Sequence, residues 1–484
     1  MNFRIVTTTR WAKPCHGFAI RPSMLAARLV LLCAFARILI AQEPNSGAPL
    51  DPQIFGYKIP SGIPSPPQTA RVSTRDESGK QVVAKVHIEI GDFRIVLLPD
   101  GQLVVRPQSE TEATEKPFKP LSPDELARLV TAAFPGFKAK TTRRYVCVYN
   151  TSDEFATVAT RVLDTMLPGV KTHMASLKIP VHEPEVPLLA LMFRTAEEFQ
   201  RFEKLPAGVL AFYKPSSNYI VMYEESPLFR VNRELAIRQS LATISHEGAH
   251  QILHNIGVQQ RLSVWPIWIA EGLAEYFAPT SVGRRYEWKG AGNINDLRML
   301  ELELFLQLRD KGSPGAMVSD TVSAARLTST GYAAAWSLTH FLAKNHREQF
   351  HDFLEELVRL GPLQGSTRTR LGSRIPENSD QFRRHFGGDL DQLEERLVAY
   401  LLKLPYTDPF ADQPHFVATL GYTRSDSPKR EAGVFHVEDL ATKWGEETVR
   451  SLADSEQRSA TLAMRSFPNR KTAVQFAKQY LKGK

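Results

Sequence analysis

Cysteine is scarce: three among 484 residues, at Cys15, Cys33 and Cys147. The first two lie in a leading segment that reads as removable, and a single thiol cannot close an internal disulfide. A disulfide-stapled fold is therefore excluded. Cys147 sits in Tyr145-Val-Cys-Val-Tyr149, a strand-like setting that makes it core filling. Long apolar runs are also missing, for no segment approaches the ~20 clean apolar residues a membrane-spanning helix needs. Neither an internal repeat nor a low-complexity block occurs, which excludes solenoid architectures.

Acid is missing from one end. Residues 1–41 contain Arg4, Arg10, Lys13, Arg21, Arg28 and Arg37 but no Asp or Glu. The formal net charge of +8 suggests a nucleic-acid partner until that charge is located. Removing those six from the 60 basic residues leaves 54 against 52 acidic ones. The excess belongs to the N-terminus, and a nucleic-acid role loses its support.

That basic start precedes a mostly apolar stretch, Met24-Leu-Ala-Ala-Arg-Leu-Val-Leu-Leu-Cys-Ala-Phe-Ala36, and Ala41 offers a small residue for cleavage before Gln42. Residues 1–41 read as a signal peptide, so the mature chain is expected outside the cytoplasm, secreted or periplasmic, without a stable membrane span. Arg37 and Leu39 depart from the usual pattern.

The remaining chain divides into five parts. Residues 42–69, with Pro60, Pro64, Pro66 and Pro67, read as a Pro-rich linker. Residues 70–120 form a small β-rich unit, since Val86, Ile88 and Ile90 alternate and Asp100-Gly101 marks a turn. In 121–232, strands at Arg144–Tyr149, Leu188–Phe193 and Asn218–Tyr223 alternate with helices at Glu154–Leu167 and Ala196–Phe202, predicting an α/β lobe. Residues 233–405 are mostly helical, with helices at Glu234–Ile256 and Pro266–Phe277. Residues 406–484 are a mixed extension with helical pieces at Val437–Ala453 and Lys471–Leu481. The expected class is α+β.

The chemistry concentrates in Ile244-Ser-His-Glu-Gly-Ala-His-Gln-Ile252. His246 and His250, four apart on a helix, can both reach one metal ion. Glu247 is then placed as a base toward a water on that ion. A second helix, Trp265-Pro-Ile-Trp-Ile-Ala-Glu-Gly-Leu-Ala-Glu-Tyr276, offers Glu271 and Glu275 as competing third ligands. They are four apart and share a face, so spacing does not choose between them. Three protein ligands and an open fourth position are what a catalytic zinc site requires. His254 extends the row but lies about 12 Å along the axis from His246 at ~1.5 Å per residue, so it is assigned to packing or support.

His246-Glu-x-x-His250 followed by Trp268-x-x-Glu271-Gly-Leu-Ala-Glu275-Tyr resembles the gluzincin zinc metallopeptidases, the group of thermolysin. It is closer still to peptidase-MA-like secreted bacterial proteins, many without an assigned function. The resemblance is firm over about 210–345, looser over 140–210 and absent beyond 405. It implies one zinc ion on His246, His250 and Glu271, with Glu247 as general base. Glu275 would support a ligand His by accepting its other ring N–H. It implies a substrate edge strand at Asn218–Tyr223 and an oxyanion-stabilising Tyr332, in Gly331-Tyr-Ala-Ala-Ala-Trp336; His340 is a weaker candidate for that task. The implied activity is hydrolysis of a peptide or protein substrate. The alternative is a catalytically inactive zinc-fold protein that binds or scaffolds in the cell envelope, against which an intact Glu247 speaks.

Overall fold

Period-two alternation between residues 71 and 107 folds into antiparallel strands, because each can then bury one face and wet the other. The computed structural model describes residues 4–6, 49–206, 209–225, 233–281, 286–308, 315–365 and 377–483. Apart from a short strand β1 (Arg4–Val6), the expected signal peptide lies outside the described residues. Strands β2 (Arg71–Arg75), β3 (Gln81–Ile90), β4 (Phe93–Leu97), β5 (Leu103–Pro107) and β6 (Glu112–Ala113) form one sheet, ordered β5-β4-β3-β2-β6. Part of the segment expected as a linker is packed: Leu50, Tyr57 and Ile59 are buried with Ile88, Ile90 and Ile95. The prolines that suggested a linker begin only after those three anchors.

Helix α1 (Pro123–Ala133) starts on the expected capping box, with Ser122 and Glu125 each accepting the other's backbone N–H. Then come β7 (Lys138–Thr141), β8 (Tyr145–Tyr149), α2 (Asp153–Ser176), β9 (Leu188–Phe193), α3 (Ala196–Phe202), β10 (Ala211–Lys214) and β11 (Tyr219–Tyr223). Their strands make a second sheet, ordered β10-β11-β9-β8-β7, in which β8, β9 and β11 run parallel. Every residue of β8 and β9 is buried, as expected of parallel strands covered on both faces. The class is α+β, as expected.

The edge position expected at Asn218–Tyr223 belongs to β10 instead. Strand β11 is paired on both sides, antiparallel to β10 and parallel to β9. Residues 215–218 reverse the chain, with Asn218 in the left-handed region at φ 65°, which asparagine tolerates well. The short strand Ala211-Phe-Tyr-Lys214, absent from the sequence reading, thereby covers the edge of β11.

The helices follow: α4 (Arg233–Asn255), α5 (Ile267–Phe277), a ribbon of β12 (Thr280–Ser281) and β13 (Glu287–Trp288), α6 (Asp296–Leu308), α7 (Ala316–Ser323), α8 (Ser329–Asn345), α9 (Arg347–Val358), α10 (Glu377–Phe386) and α11 (Leu390–Leu401). Among the described residues no helix is long and apolar enough to cross a membrane. Contacts divide the described chain into two units. The first holds both five-stranded sheets, helices α1–α5 and helices α7–α11.

The second unit holds β1, α6 and the chain from Pro405. There β14 (His415–Arg424) and β15 (Ser427–Phe435) lead to α12 (Glu438–Arg450), α13 (Asp454–Ser459), β16 (Thr461–Phe467) and α14 (Arg470–Leu481). The sheet order is β1-β16-β14-β15. Val417 and Ala418, adjacent on β14, enter different apolar clusters with α14 and α12, so a helix covers each face.

Candidate metal centre

Helix α4 presents two adjoining polar stripes, because residues four apart share a face. His246, His250 and His254 make one, and Glu247, Gln251 and Asn255 make the other. Helix α5 carries Glu271 and Glu275 and packs on both α4 and α8. It comes close to α8 because residue 272 is glycine. A Cβ there would lie 2.2 Å from Thr339 Oγ1 and 2.7 Å from the Ala335 carbonyl oxygen. That approach sets where the preceding residue, Glu271, meets α4.

Three donor atoms converge. Glu271 Oε2 lies 3.0 Å from His246 Nε2 and 3.4 Å from His250 Nε2, and the two ring nitrogens are 3.2 Å apart. His246, His250 and Glu271 form a group that could hold a metal ion. The remaining ring nitrogen of His246, Nδ1, is 3.1 Å from Glu275 Oε1. Glu275 in turn accepts from Asn295 Nδ2 at 2.9 Å. Asn295 escaped the sequence reading, since a loop asparagine twenty positions downstream carries no local signal.

With its Nδ1 proton given to Glu275, His246 turns its Nε2 lone pair toward a carboxylate oxygen and a second imidazole. Acceptors that close repel unless a proton or a cation lies between them. Burial pulls the His246 imidazole down, but hydrogen bonds to Glu271 and Glu275 and the charges of Glu275 and Glu247 lift it to about 10. Glu271 behaves conversely: burial raises its carboxyl, and the charge of His250 with hydrogen bonds from both imidazoles holds it far below the carboxylate range. The cluster therefore favours one positive charge at its centre. Donors 3.0–3.4 Å apart suit a four-coordinate ion with bonds of roughly 2.0–2.2 Å. The residues fit a metal.

Glu247 is 5% exposed. Burial pushes its carboxyl up, opposed by the charges of His246 and His250 and by the backbone N–H of Tyr213 in β10. Tyr332, near the start of α8, is buried with its ring centroid 6.1 Å from that of His246. His246, Glu247, His250, Glu271, Glu275 and Tyr332 thus share one neighbourhood. His254 stays outside it. Its ring lies 5.4 Å from Tyr213, burial lowers its pKa to about 3, and it lines a separate cavity of about 410 Å³ with His87 and Arg261. His340 is committed elsewhere, to the Gly292 carbonyl at 3.2 Å and the Tyr400 hydroxyl at 2.9 Å.

A family model described as a protein of unknown function, DUF1570, matches residues 240–364. That stretch contains all six site residues and leaves both five-stranded sheets outside. No curated protein matches the chain.

Proposed function

We propose that this chain is an exported, zinc-dependent peptidase. The observation that carries the reading is the convergence of His246, His250 and Glu271 beside a buried Glu247 that faces an edge strand. Two imidazoles and one carboxylate are a donor set of zinc hydrolases. Zinc, when bound, polarises a carbonyl and acidifies water.

The chain's own groups supply the rest. Glu275 fixes the His246 ring by accepting its Nδ1 proton, so that Nε2 faces inward. Glu247, with its carboxyl raised by burial, takes a proton from the attacking water and returns it to the leaving amine. Tyr332 donates to the developing oxyanion. The edge strand β10 receives the substrate backbone as an added strand.

The test compares wild type with Glu247→Gln for zinc content and for cleavage of a mixed peptide library. The expected result is one zinc per chain in both, with cleavage by wild type alone. Cleavage by neither, across several pH values, favours a zinc-fold binding protein. A chain that takes up no zinc would sink the reading.

A further inference from the structure

The second polar stripe of α4 begins at Glu247 and continues through Gln251 and Asn255, which touch none of the metal-ligating groups. All three are buried, and the lower two are spent on the hairpin of β10 and β11. Gln251 Nε2 donates to the Asn218 carbonyl at 2.7 Å and to the Leu189 carbonyl at 3.0 Å. Asn255 and Asn218 exchange side-chain hydrogen bonds, 2.7 Å from Asn255 Nδ2 and 2.9 Å from Asn218 Nδ2. Tyr213 closes the circuit: its hydroxyl donates to Asn218 Oδ1 at 2.9 Å from a strand, β10, that packs against α4.

We infer that Asn218, Gln251 and Asn255 form a positioning clasp that holds edge strand β10 in register with Glu247. Strand β10 has four residues and, among the described residues, pairs only with β11. Its placement against α4 therefore depends on contacts outside its own sheet. A slip of one residue would turn every side chain of so short a strand to the opposite face and take the Tyr213 hydroxyl off Asn218. Apolar packing also resists such a slip, but four residues bury little, and the reciprocal amide bonds add a constraint that is satisfied in one register only. Arg261 adds to the fastening by donating to the Pro215 and Ser216 carbonyls in the hairpin loop, at 2.6 Å and 3.0 Å. One stripe of one helix thus carries both the proposed base and the ruler that sets the substrate strand beside it. The catalytic half of this inference rests on the peptidase reading.

The test uses the full zinc-loaded chain with Asn218→Gly, Asn255→Ala and Asn218→Asp. Glycine keeps the left-handed backbone and removes only the amide, while aspartate keeps the acceptor for Tyr213 and Asn255. Zinc content, hydrogen exchange of peptides covering 211–214 and 188–193, kcat and KM are measured. With a clasp, Asn218→Gly and Asn255→Ala keep their zinc and exchange at least tenfold faster in 211–214 but not in 188–193. Their kcat falls about 10- to 100-fold, the range expected for ångström-scale misplacement, with KM changing less; Asn218→Asp recovers part of the loss. Unchanged exchange in 211–214 overturns the inference, as does faster exchange with unchanged kcat. Uniformly faster exchange across both segments assigns the amides to general stability and overturns it too. If wild type cleaves nothing, the peptidase reading fails, and the catalytic half of the clasp with it.

Discussion

The carboxylate of Glu275 decides which nitrogen of His246 carries the proton. Its Oε1 sits 3.1 Å from Nδ1, and Asn295 holds its other oxygen at 2.9 Å. Without it, Nδ1 would be left in a buried site, and the ring would be free to rotate or change tautomer. Glu275→Ala should therefore weaken metal binding by about 10- to 100-fold, the usual cost of losing such a partner. A competitive chelator titration measures this directly; an affinity within threefold of wild type would show that Glu275 does not orient the ring. At this scale much was legible. His246, Glu247 and His250 announce themselves by helical spacing, and spacing narrows the converging carboxylate to two positions of α5. The orienting Asn295 and the clasp residue Asn218 were not legible, because a lone asparagine in a loop has the same local signature whether it caps a turn or holds a site. Gln251 and Asn255 did repeat at the spacing of Glu247. They pass unnoticed because polar residues on a long helix are ordinarily solvated.

Between elements, the approach of α5 to α8 is set by a missing side chain. A Cβ on Gly272 would meet backbone, the Ala335 carbonyl oxygen at 2.7 Å, besides Thr339 Oγ1 at 2.2 Å. A Cβ on Gly248, inside the histidine motif, would meet Leu163 Cδ2 at 2.7 Å and Met166 Sδ at 3.4 Å, both ends of flexible side chains on α2. Gly272→Ala should thus push the helices apart and cost about 1–3 kcal/mol as overpacking, with reduced metal occupancy because Glu271 is its neighbour. Gly248→Ala should cost less, since Leu163 can rotate and alanine recovers about 1 kcal/mol of helix propensity. Thermal melts and metal stoichiometry of the two variants check the order, and the reverse order would refute the packing argument. Long helices with clear apolar periodicity could be read from the chain alone. The strand β10 could not, because four residues are too few to show a periodicity, even between Pro206-Ala-Gly208 and Pro215. Strands β14, β15 and β16 escaped for another reason: β15 is largely solvent-facing along Ser427-Pro-Lys-Arg430 and shows no apolar alternation there.

On the scale of the whole molecule, the second unit unites α6 with a segment that begins about a hundred residues later, and no local pattern reveals such an association. Its charged centre is Arg470. The guanidinium donates to Glu303 of α6 at 2.6 Å and 2.9 Å, to Asp408 at 2.7 Å and to the Tyr406 hydroxyl at 2.7 Å. Burial would raise the Asp408 carboxyl, but the hydrogen bonds from His415 and Arg470 overcome it and hold it at about 2. The sign of the resulting pH dependence follows. A carboxyl whose folded pKa is depressed adds stability above its unfolded value near 3.9, and that stability is lost as pH falls toward 2. Removing the guanidinium by Arg470→Ala leaves Asp408 with His415 at 3.3 Å and the Phe410 backbone N–H at 2.7 Å. The folded carboxyl pKa then rises toward its unfolded value, and the unit loses about 3–5 kcal/mol at neutral pH, as for a broken buried pair. The variant's stability should consequently fall less steeply between pH 4 and 2 than that of wild type. Hydrogen exchange of peptides from β14 across that range tests this within the unit itself. Equal slopes in the two proteins would mean that Arg470 does not hold the Asp408 proton off.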